Sequence, residues 1–169
     1  MSQRTRDENT ALASKRLFEH FPTAEKLSKA PLARIEKLVK PAGFYRVKAK
    51  RIRKISRLLV ERFNGQPPKS IEQLVSLPGV GRKTANCVLV YAFKEPAMPV
   101  DVHVHRISNR LGLVETKTPE QTEQALMKLV PKENWLELNH LFVRYGQTVC
   151  LPRNPKCLEC KLRSKCPFS

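Results

Sequence analysis

The sequence lacks the features that would place the protein in a membrane or outside the cell. None of its apolar runs approaches the roughly 20 residues that a helix needs to cross a bilayer. Its first ten residues are polar and charged, so the pattern of a secretory signal peptide is also absent. We therefore expect an intracellular protein without a membrane partner.

Acidic residues are scarce. Asp and Glu number 15 against 32 Lys and Arg, which gives a formal net charge of +17. A basic excess of this size indicates a polyanionic partner, and nucleic acid is the usual one. Some ribosome-associated and membrane-surface proteins are equally basic, so the charge alone leaves those classes open.

Alternating runs of β-branched residues are nearly absent, apart from a short stretch at 100–104. The helical spacing of apolar residues predicts an all-α fold instead, in two lobes at 1–97 and 98–169 whose boundary is marked by prolines at 96 and 99. The predicted helices are Thr10–Phe21, Leu32–Val39, Val47–Phe63, Ser70–Leu77, Arg82–Phe93, Asp101–Leu111, Pro119–Leu129 and Trp135–Val149.

Cysteines are few, and all but Cys87 lie in the last twenty residues, as Cys150, Cys157, Cys160 and Cys166. An odd number without a secretion signal argues against a disulfide framework, so a metal centre is the better interpretation. A zinc ribbon usually shows two C-x2-C pairs, whereas this tail has one. The uneven x6, x2, x5 spacing favours a four-iron, four-sulfur cluster, although spacing alone leaves zinc open.

The loop between the first two of these cysteines is short and basic. It carries Arg153 and Lys156 on a segment that the cysteines would pin at both ends. Such a loop can contact phosphates. The alternative is a solvated loop that offsets the negative charge of the metal centre.

A glycine-containing turn joins two of the predicted helices at 77–81, where the sequence reads LPGVG. Gly79 and Gly81, on either side of Val80, allow positive φ and a close approach of the backbone to a partner. The start of the next helix offers unpaired N–H groups and a positive dipole end, which suit a phosphate. An ordinary tight turn is the alternative, and the basic residues that follow make it less favourable.

Three motifs in a fixed order carry a resemblance. LPGVGRKTAN at 77–86 precedes VDVHVHR at 100–106, and the four spaced cysteines come last. In this order they resemble endonuclease III, a family of helix-hairpin-helix DNA glycosylases, over essentially the whole chain. The resemblance implies two helical lobes with damaged double-stranded DNA bound in the cleft between them, a hairpin motif at about 70–93, and a [4Fe-4S] cluster on the cysteines of the tail at 150–169.

The resemblance also implies that Lys83 is the nucleophile of a glycosylase with abasic-site lyase activity. A lysine amine attacks only when it is neutral, and free lysine titrates at about 10.4. The helix start, partial burial and neighbouring Arg82 are each expected to lower the pKa of Lys83. A neutral amine can displace the base at C1′ and form the Schiff base that permits β-elimination. A cation that only contacts phosphate is the alternative.

Asp101 follows Lys83 by eighteen residues, as the family pattern requires. It is expected to stay ionised, to stabilise cationic character at the sugar and to move protons from the amine. An aspartate at a helix start is also a good N-cap, a role that needs no catalysis. The family pattern places the next histidine, His103, near this aspartate for positioning or DNA contact. Val102 stands where many relatives have a small hydroxyl residue.

A nucleotide that is flipped out of the duplex leaves a gap for the protein to fill. The resemblance implies a glutamine from a Ser-x-Gln-like segment and an apolar wedge from a Gly-Leu-Tyr-like loop. Residues 43–45 match the loop and make Phe44 the wedge candidate, with core packing as its alternative. In the segment at 2–7, Gln3 falls one residue early and Arg4 takes the expected place, so both are candidates.

Three functions remain to be distinguished. The first is a bifunctional glycosylase and lyase that removes oxidised pyrimidines, and Lys83 favours it. The second is a monofunctional relative for adenine or mismatched thymine, which has another residue at that position. The third is a non-catalytic DNA-binding module with a structural metal. We expect a monomer in the cytoplasm or nucleoid of a prokaryote.

Relatives have a longer stretch before the Ser-Gln segment, and in them it supplies a helix that packs on the cluster lobe. Either the chain is a fragment or the lobe at 98–169 lacks this helix. In the second case we expect its apolar docking groove to be exposed.

Overall fold

The structure is a computed structural model that describes residues 5–169, and this part of the chain contains no β-strand. The α-helices are α1 (Asp7–His20), α2 (Ala24–Lys29), α3 (Leu32–Leu38), α4 (Tyr45–Phe63), α5 (Ile71–Val75), α6 (Arg82–Phe93), α7 (Val102–Arg110), α8 (Pro119–Leu129) and α9 (Trp135–Thr148). Short 3₁₀ turns lie at Lys132–Asn134, Cys157–Glu159 and Arg163–Lys165. The predicted all-α fold is confirmed. Within the described residues, no helix combines the length and the apolar content that crossing a membrane requires.

The chain divides into two compact units, one that ends at Val80 and one that begins at Gly81. The sequence predicted the boundary at 97/98, whereas the division falls inside the glycine hairpin. The physical reason is that α6 is tied to the segment that follows it. The side chain of Asn86 donates a hydrogen bond to the carbonyl of Met98 at 3.1 Å, and both residues are buried.

The first unit buries one face of α1 together with α2, α3 and α4. Its core residues are Ala13, Leu17, Leu27, Ala30, Ile35, Leu38, Val39, Ala42 and Ala49. Helix α2 was not predicted, because six residues are too few to show a helical period. It is defined instead by its cap, where the hydroxyl of Thr23 accepts a hydrogen bond from the N–H of Lys26. Two apolar residues of α1, Leu12 and Phe18, are exposed.

The second unit is built around the segment that leads from α6 into α7. Its core contains Met98, Val100, Val104, Leu126 and Trp135, where α7 packs against α8 and α9. Proline has no backbone N–H to donate, so the segment 96–99, which begins and ends with proline, does not continue α6. Asp101 then begins α7 as its N-cap, which fixes where the helix starts.

Candidate active site and cysteine centre

The glycine hairpin links α5 to α6, and its two glycines serve different purposes. Gly79 has a φ of +78°, the left-handed region that favours glycine. Gly81 has a φ of −91°, so the expectation of positive φ is wrong there. A Cβ at Gly81 would meet no atom within 4 Å, which leaves room for a ligand to approach the backbone. The N–H of Val80 closes the turn on the carbonyl of Leu77 at 3.1 Å.

Lys83 and Asp101 both influence the thiol of Cys87 through their charges. Lys83 lies on the first turn of α6 and is exposed, so the expected partial burial is wrong for the described structure. Cys87 lies one helical turn further and is half-buried. Burial raises the pKa of the Cys87 thiol, while the charge of Lys83 lowers it and the charge of Asp101 raises it. Both side chains therefore lie within electrostatic range of this one sulfur.

Two buried asparagines position the segment that carries Asp101. Asn86 on α6 donates its side-chain N–H to the carbonyl of Met98, and Asn139 on α9 donates to the carbonyl of Pro99. Both amides are almost fully buried, where an unpaired polar group would be costly. Since Asn86 shares its helix with Lys83, its hydrogen bond fixes the Asp101 segment relative to the helix of the candidate nucleophile.

The carboxylate of Asp101 caps α7 through one oxygen only. Its Oδ1 accepts the N–H groups of His103 at 2.8 Å and Val104 at 3.0 Å. The N-cap role expected from the sequence is therefore present. Because both hydrogen bonds end on Oδ1, the cap does not use Oδ2. The neighbouring side chain of Val102 is 66% exposed.

The ring of His103 is held by a glycine and an arginine. A Cβ on Gly146 of α9 would lie 2.5 Å from Nδ1 of His103, so only glycine leaves space for the ring. Nη2 of Arg106 lies 3.1 Å from the same Nδ1 and also donates to the carbonyl of Cys150 at 2.8 Å. Arginine only donates, so Nδ1 is the acceptor of this contact and Nε2 is left for another partner. Arg106 thus acts as a scaffold that links α7 to the ends of α9 and the tail.

Arg82 forms a two-pronged ion pair with Glu123. Its Nη2 lies 2.6 Å from Oε1, and its Nε donates to Oε2 at 3.3 Å. The Glu123 side chain is only 4% exposed, so water screens this pair weakly. The cation that the sequence places beside Lys83 is therefore offset by a buried carboxylate from α8.

In the first unit, Thr5 holds the loop that carries Phe44. Its Oγ1 accepts hydrogen bonds from the N–H of Gly43 at 3.0 Å and from Nζ of Lys48 at 2.6 Å. Phe44 has a φ of 56° and is 62% exposed, so the core-packing alternative is wrong. Positive φ is rare for a bulky residue and marks local strain. The candidates Gln3 and Arg4 lie outside the described residues.

Four cysteines of the second unit line one cavity together with α7 and α9. They are Cys150, Cys157, Cys160 and Cys166. Within residues 5–169, no three His, Cys, Asp or Glu side chains are grouped closely enough to hold a metal ion. The cavity is nevertheless lined by all four predicted ligands and mostly by apolar residues around them, which suits a large, soft-ligand centre.

Two side chains direct hydrogen bonds at the sulfur atoms. The hydroxyl of Tyr145 donates to Sγ of Cys160 at 3.0 Å, and Nη1 of Arg110 donates to Sγ of Cys150 at 3.4 Å. Burial and the hydrogen bond to Cys160 raise the pKa of Tyr145 to about 12. The hydroxyl therefore keeps its proton at neutral pH. Arg110 also stacks on Phe168, with its guanidinium 4.3 Å from the ring centre.

The basic loop of the tail is closed at its base. The N–H of Lys156 donates to the carbonyl of Val149 at 3.0 Å, and Asn154 adopts a φ of 48° at the bend. Arg153 and Lys156 are both exposed. The geometry thus presents the two cations on a short, fixed segment, as the sequence predicted.

Several residues that shape these sites were not assigned roles from the sequence. They are Asn86, Asn139, Gly146, Glu123 and Tyr145. One signal was available for Glu123, which lies three residues before the buried Leu126 and hence on the apolar face of α8. A carboxylate on such a face needs a cationic partner. Periodicity cannot identify that partner.

Comparison with known proteins is consistent with this geometry. The family model described as "HhH-GPD superfamily base excision DNA repair protein" matches residues 1–132. Endonuclease III of Thermotoga maritima is 55% identical over 168 residues, which span 99% of this chain and 79% of that relative.

Two solved structures are similar over nearly the whole chain. One is a non-covalent complex of endonuclease III with DNA, with a TM-score of 0.91, 38% identity, and coverage of 99% of this chain and 78% of that one. The other is a trapped covalent intermediate of endonuclease III and DNA, with a TM-score of 0.90, 37% identity, and coverage of 98% and 78%. The chain therefore belongs to the HhH-GPD superfamily of base excision DNA repair proteins and, within it, to the endonuclease III family of DNA glycosylases.

Proposed function

We propose that this chain removes oxidised pyrimidines from double-stranded DNA and then cleaves the strand at the resulting abasic site. Lys83 is the nucleophile and Asp101 its acidic partner. The observation that carries the proposal is that Asn86, on the helix of Lys83, hydrogen-bonds the segment that leads into Asp101, while the charges of Lys83 and Asp101 both act on Cys87. A lysine amine and a carboxylate in one site provide the nucleophile and the charge that the two reactions need.

The reaction begins with the neutral amine of Lys83. Its nitrogen forms a bond to C1′ of the flipped nucleotide as the bond from C1′ to the base breaks. Asp101 stabilises positive charge on the sugar during this exchange and takes a proton from the attacking nitrogen. The sugar ring then opens as the Schiff base forms between the Lys83 nitrogen and C1′. Loss of a proton from C2′ expels the 3′ phosphate by β-elimination.

The grip on DNA comes from backbone and side chains together. Gly81 leaves the hairpin backbone open to a phosphate, and the start of α6 offers its positive end. The contact between Arg106 and Nδ1 holds the ring of His103, which leaves its Nε2 for the DNA. Arg153 and Lys156 extend the phosphate contacts on the cysteine loop. These contacts do not depend on the base sequence, and a repair enzyme must bind damage in any sequence.

Borohydride trapping tests the function. The chain is incubated with a duplex that contains one thymine glycol, and a parallel sample contains an abasic site. Reduction of the Schiff base should give a covalent protein–DNA adduct in both samples. An adduct with the abasic site alone would refute the oxidised-pyrimidine substrate, and no adduct from correctly folded protein would refute the lyase.

The strained, exposed Phe44 is proposed to fill the gap left by the flipped nucleotide. Phe44→Ala should slow base removal roughly tenfold, because the wedge offsets part of the few kcal/mol that base flipping costs. Single-turnover kinetics on the thymine-glycol duplex measure the effect. Phe18→Ala is the matched control, since Phe18 is also an exposed phenylalanine of the first unit, at 55%. Equal rates for the two variants would contradict the wedge role.

Cys150, Cys157, Cys160 and Cys166 are proposed to hold a [4Fe-4S] cluster. Support comes from the common cavity that the four cysteines line, from the apolar residues around it, and from the donors aimed at two of the sulfurs. When bound, the cluster cross-links a tail that has few core residues of its own, and so fixes the loop with Arg153. The purified protein should be yellow-brown and should contain iron; a colourless protein containing zinc would contradict this assignment.

Tyr145→Phe gives a prediction specific to the cluster. A hydrogen bond to a ligating sulfur stabilises the electron-rich reduced state, so its loss should shift the midpoint potential to a more negative value. Voltammetry of the purified, iron-loaded protein measures the shift. Tyr91→Phe is the control, because the hydroxyl of Tyr91 bonds to His140 and does not line the cysteine cavity. Identical potentials for both variants would show that Tyr145 makes no such bond in the loaded protein.

A further inference from the structure

A side chain outside the family motifs covers the hairpin glycine. Arg51 of α4 lies against Gly79, so that a Cβ at Gly79 would be 2.9 Å from Cδ, 3.1 Å from Nη1 and 3.2 Å from Nε. The guanidinium therefore lies at the hairpin backbone, within the first unit. Gly79 is required here for its positive φ and also because any side chain would displace this arginine.

A phosphodiester bound at the hairpin requires a full positive charge nearby. Neither basic residue of the hairpin sequence provides this charge. A phosphodiester carries a full negative charge, whereas backbone N–H groups and a helix start offer only partial positive charge. The charge of Arg82 is offset by the buried Glu123, 2.6 Å away. Lys83 must be neutral when it attacks, so it adds no positive charge in the reacting state.

Arg51 fits this need. It is exposed, and no carboxylate in the described part of the chain pairs with it. Its planar guanidinium has donors left to direct at phosphate oxygens while one face rests on Gly79. We propose that Arg51 binds the DNA phosphodiester held by the hairpin and supplies the positive charge of that contact. This inference rests on the proposed binding of DNA but not on the lyase chemistry.

The test is equilibrium binding to a duplex with a tetrahydrofuran abasic analogue, which the chain cannot cleave. Fluorescence anisotropy measures the Kd at several KCl concentrations between roughly 50 and 200 mM, a range over which phosphate contacts make the affinity depend strongly on salt. Arg51→Ala should weaken binding about tenfold and reduce the slope of log K against log salt by about 0.9, the value for one lost phosphate contact. Arg51→Lys should keep most of the slope, because it keeps the charge.

Arg62→Ala is the matched control. It removes the same residue type from the same helix, about 16 Å further along its axis at 1.5 Å per residue, and Arg62 is also exposed. Because the proposal requires a cation beside Gly79, the Kd and salt slope of Arg62→Ala should stay within about twofold of the original values. Equal effects of Arg51→Ala and Arg62→Ala, or an unchanged slope for Arg51→Ala, would overturn the proposal. Circular dichroism melting confirms that each variant is folded.

The two proposals can fail separately. Loss of binding in Arg51→Ala with no borohydride adduct in the unmodified chain would refute the lyase and leave the phosphate contact intact. A normal adduct from the unmodified chain, together with unchanged binding by Arg51→Ala, would support the lyase and refute the phosphate contact.

Discussion

Lys83→Gln should lose the borohydride adduct completely and reduce strand cleavage at an abasic site at least about a thousandfold, the scale of removing a catalytic nucleophile. Glutamine is similar in length but has no basic amine, so no Schiff base can form. Lys83 is exposed at the start of α6, and the change should therefore leave the fold intact. Gel separation of trapped adducts and single-turnover cleavage measure the two effects.

Lys94→Gln is the control for this experiment. Lys94 is an exposed lysine at the other end of the same helix, and its substitution should change neither product. Binding to the uncleavable duplex distinguishes a nucleophile from a phosphate contact. If Lys83→Gln weakened binding but the bound complex still cleaved at the original rate, Lys83 would be only a phosphate-contacting cation.

Asp101→Asn should slow base removal by about a hundredfold to ten-thousandfold, the range for a lost acid–base group, while the melting temperature changes little. Asparagine caps a helix as well as aspartate does, so the bonds to His103 and Val104 can be kept. What the variant loses is the negative charge that faces the sugar and the acceptor for the proton. Single-turnover kinetics and thermal melting separate the two roles.

Asp101→Ala completes this comparison. It removes both the charge and the cap, and should cost about 1 kcal/mol of stability in addition to the same loss of rate. The catalytic role of Asp101 is contradicted if Asp101→Asn keeps the original rate and only Asp101→Ala is impaired. That outcome would leave Asp101 as a structural cap.

The features read correctly from sequence are those encoded by neighbouring residues. The hairpin turn follows from Gly79, the start of α7 from Asp101, and the capping of α5 from Ser70, whose hydroxyl accepts the N–H of Gln73. Local hydrogen bonds and allowed φ values set each of these, so a few residues in order are sufficient. The four cysteines lie on one short tail, and their common cavity follows from the same closeness in sequence.

The corrections concern side chains whose partners are distant in sequence. Arg82 was expected to act as a cation beside Lys83, and it is paired with Glu123 from α8. Phe18 is exposed although it lies at helical spacing with the buried Leu17 and the partly buried Phe21, and Phe44, for which core packing was an open alternative, is held in an exposed, strained conformation. Periodicity places a residue on a face of its helix, but only packing decides which face is covered.

The chemistry proposed for this protein rests on motifs that short stretches of residues carry, namely a lysine after a glycine hairpin, an aspartate at a helix start and four spaced thiols. How these groups are arranged depends on the packing of the helices. Asn86 ties the Asp101 segment to the helix of Lys83, and Arg51 lies on Gly79 across 28 residues of sequence. Such contacts depend on which surfaces meet when helices pack, and no local pattern specifies that.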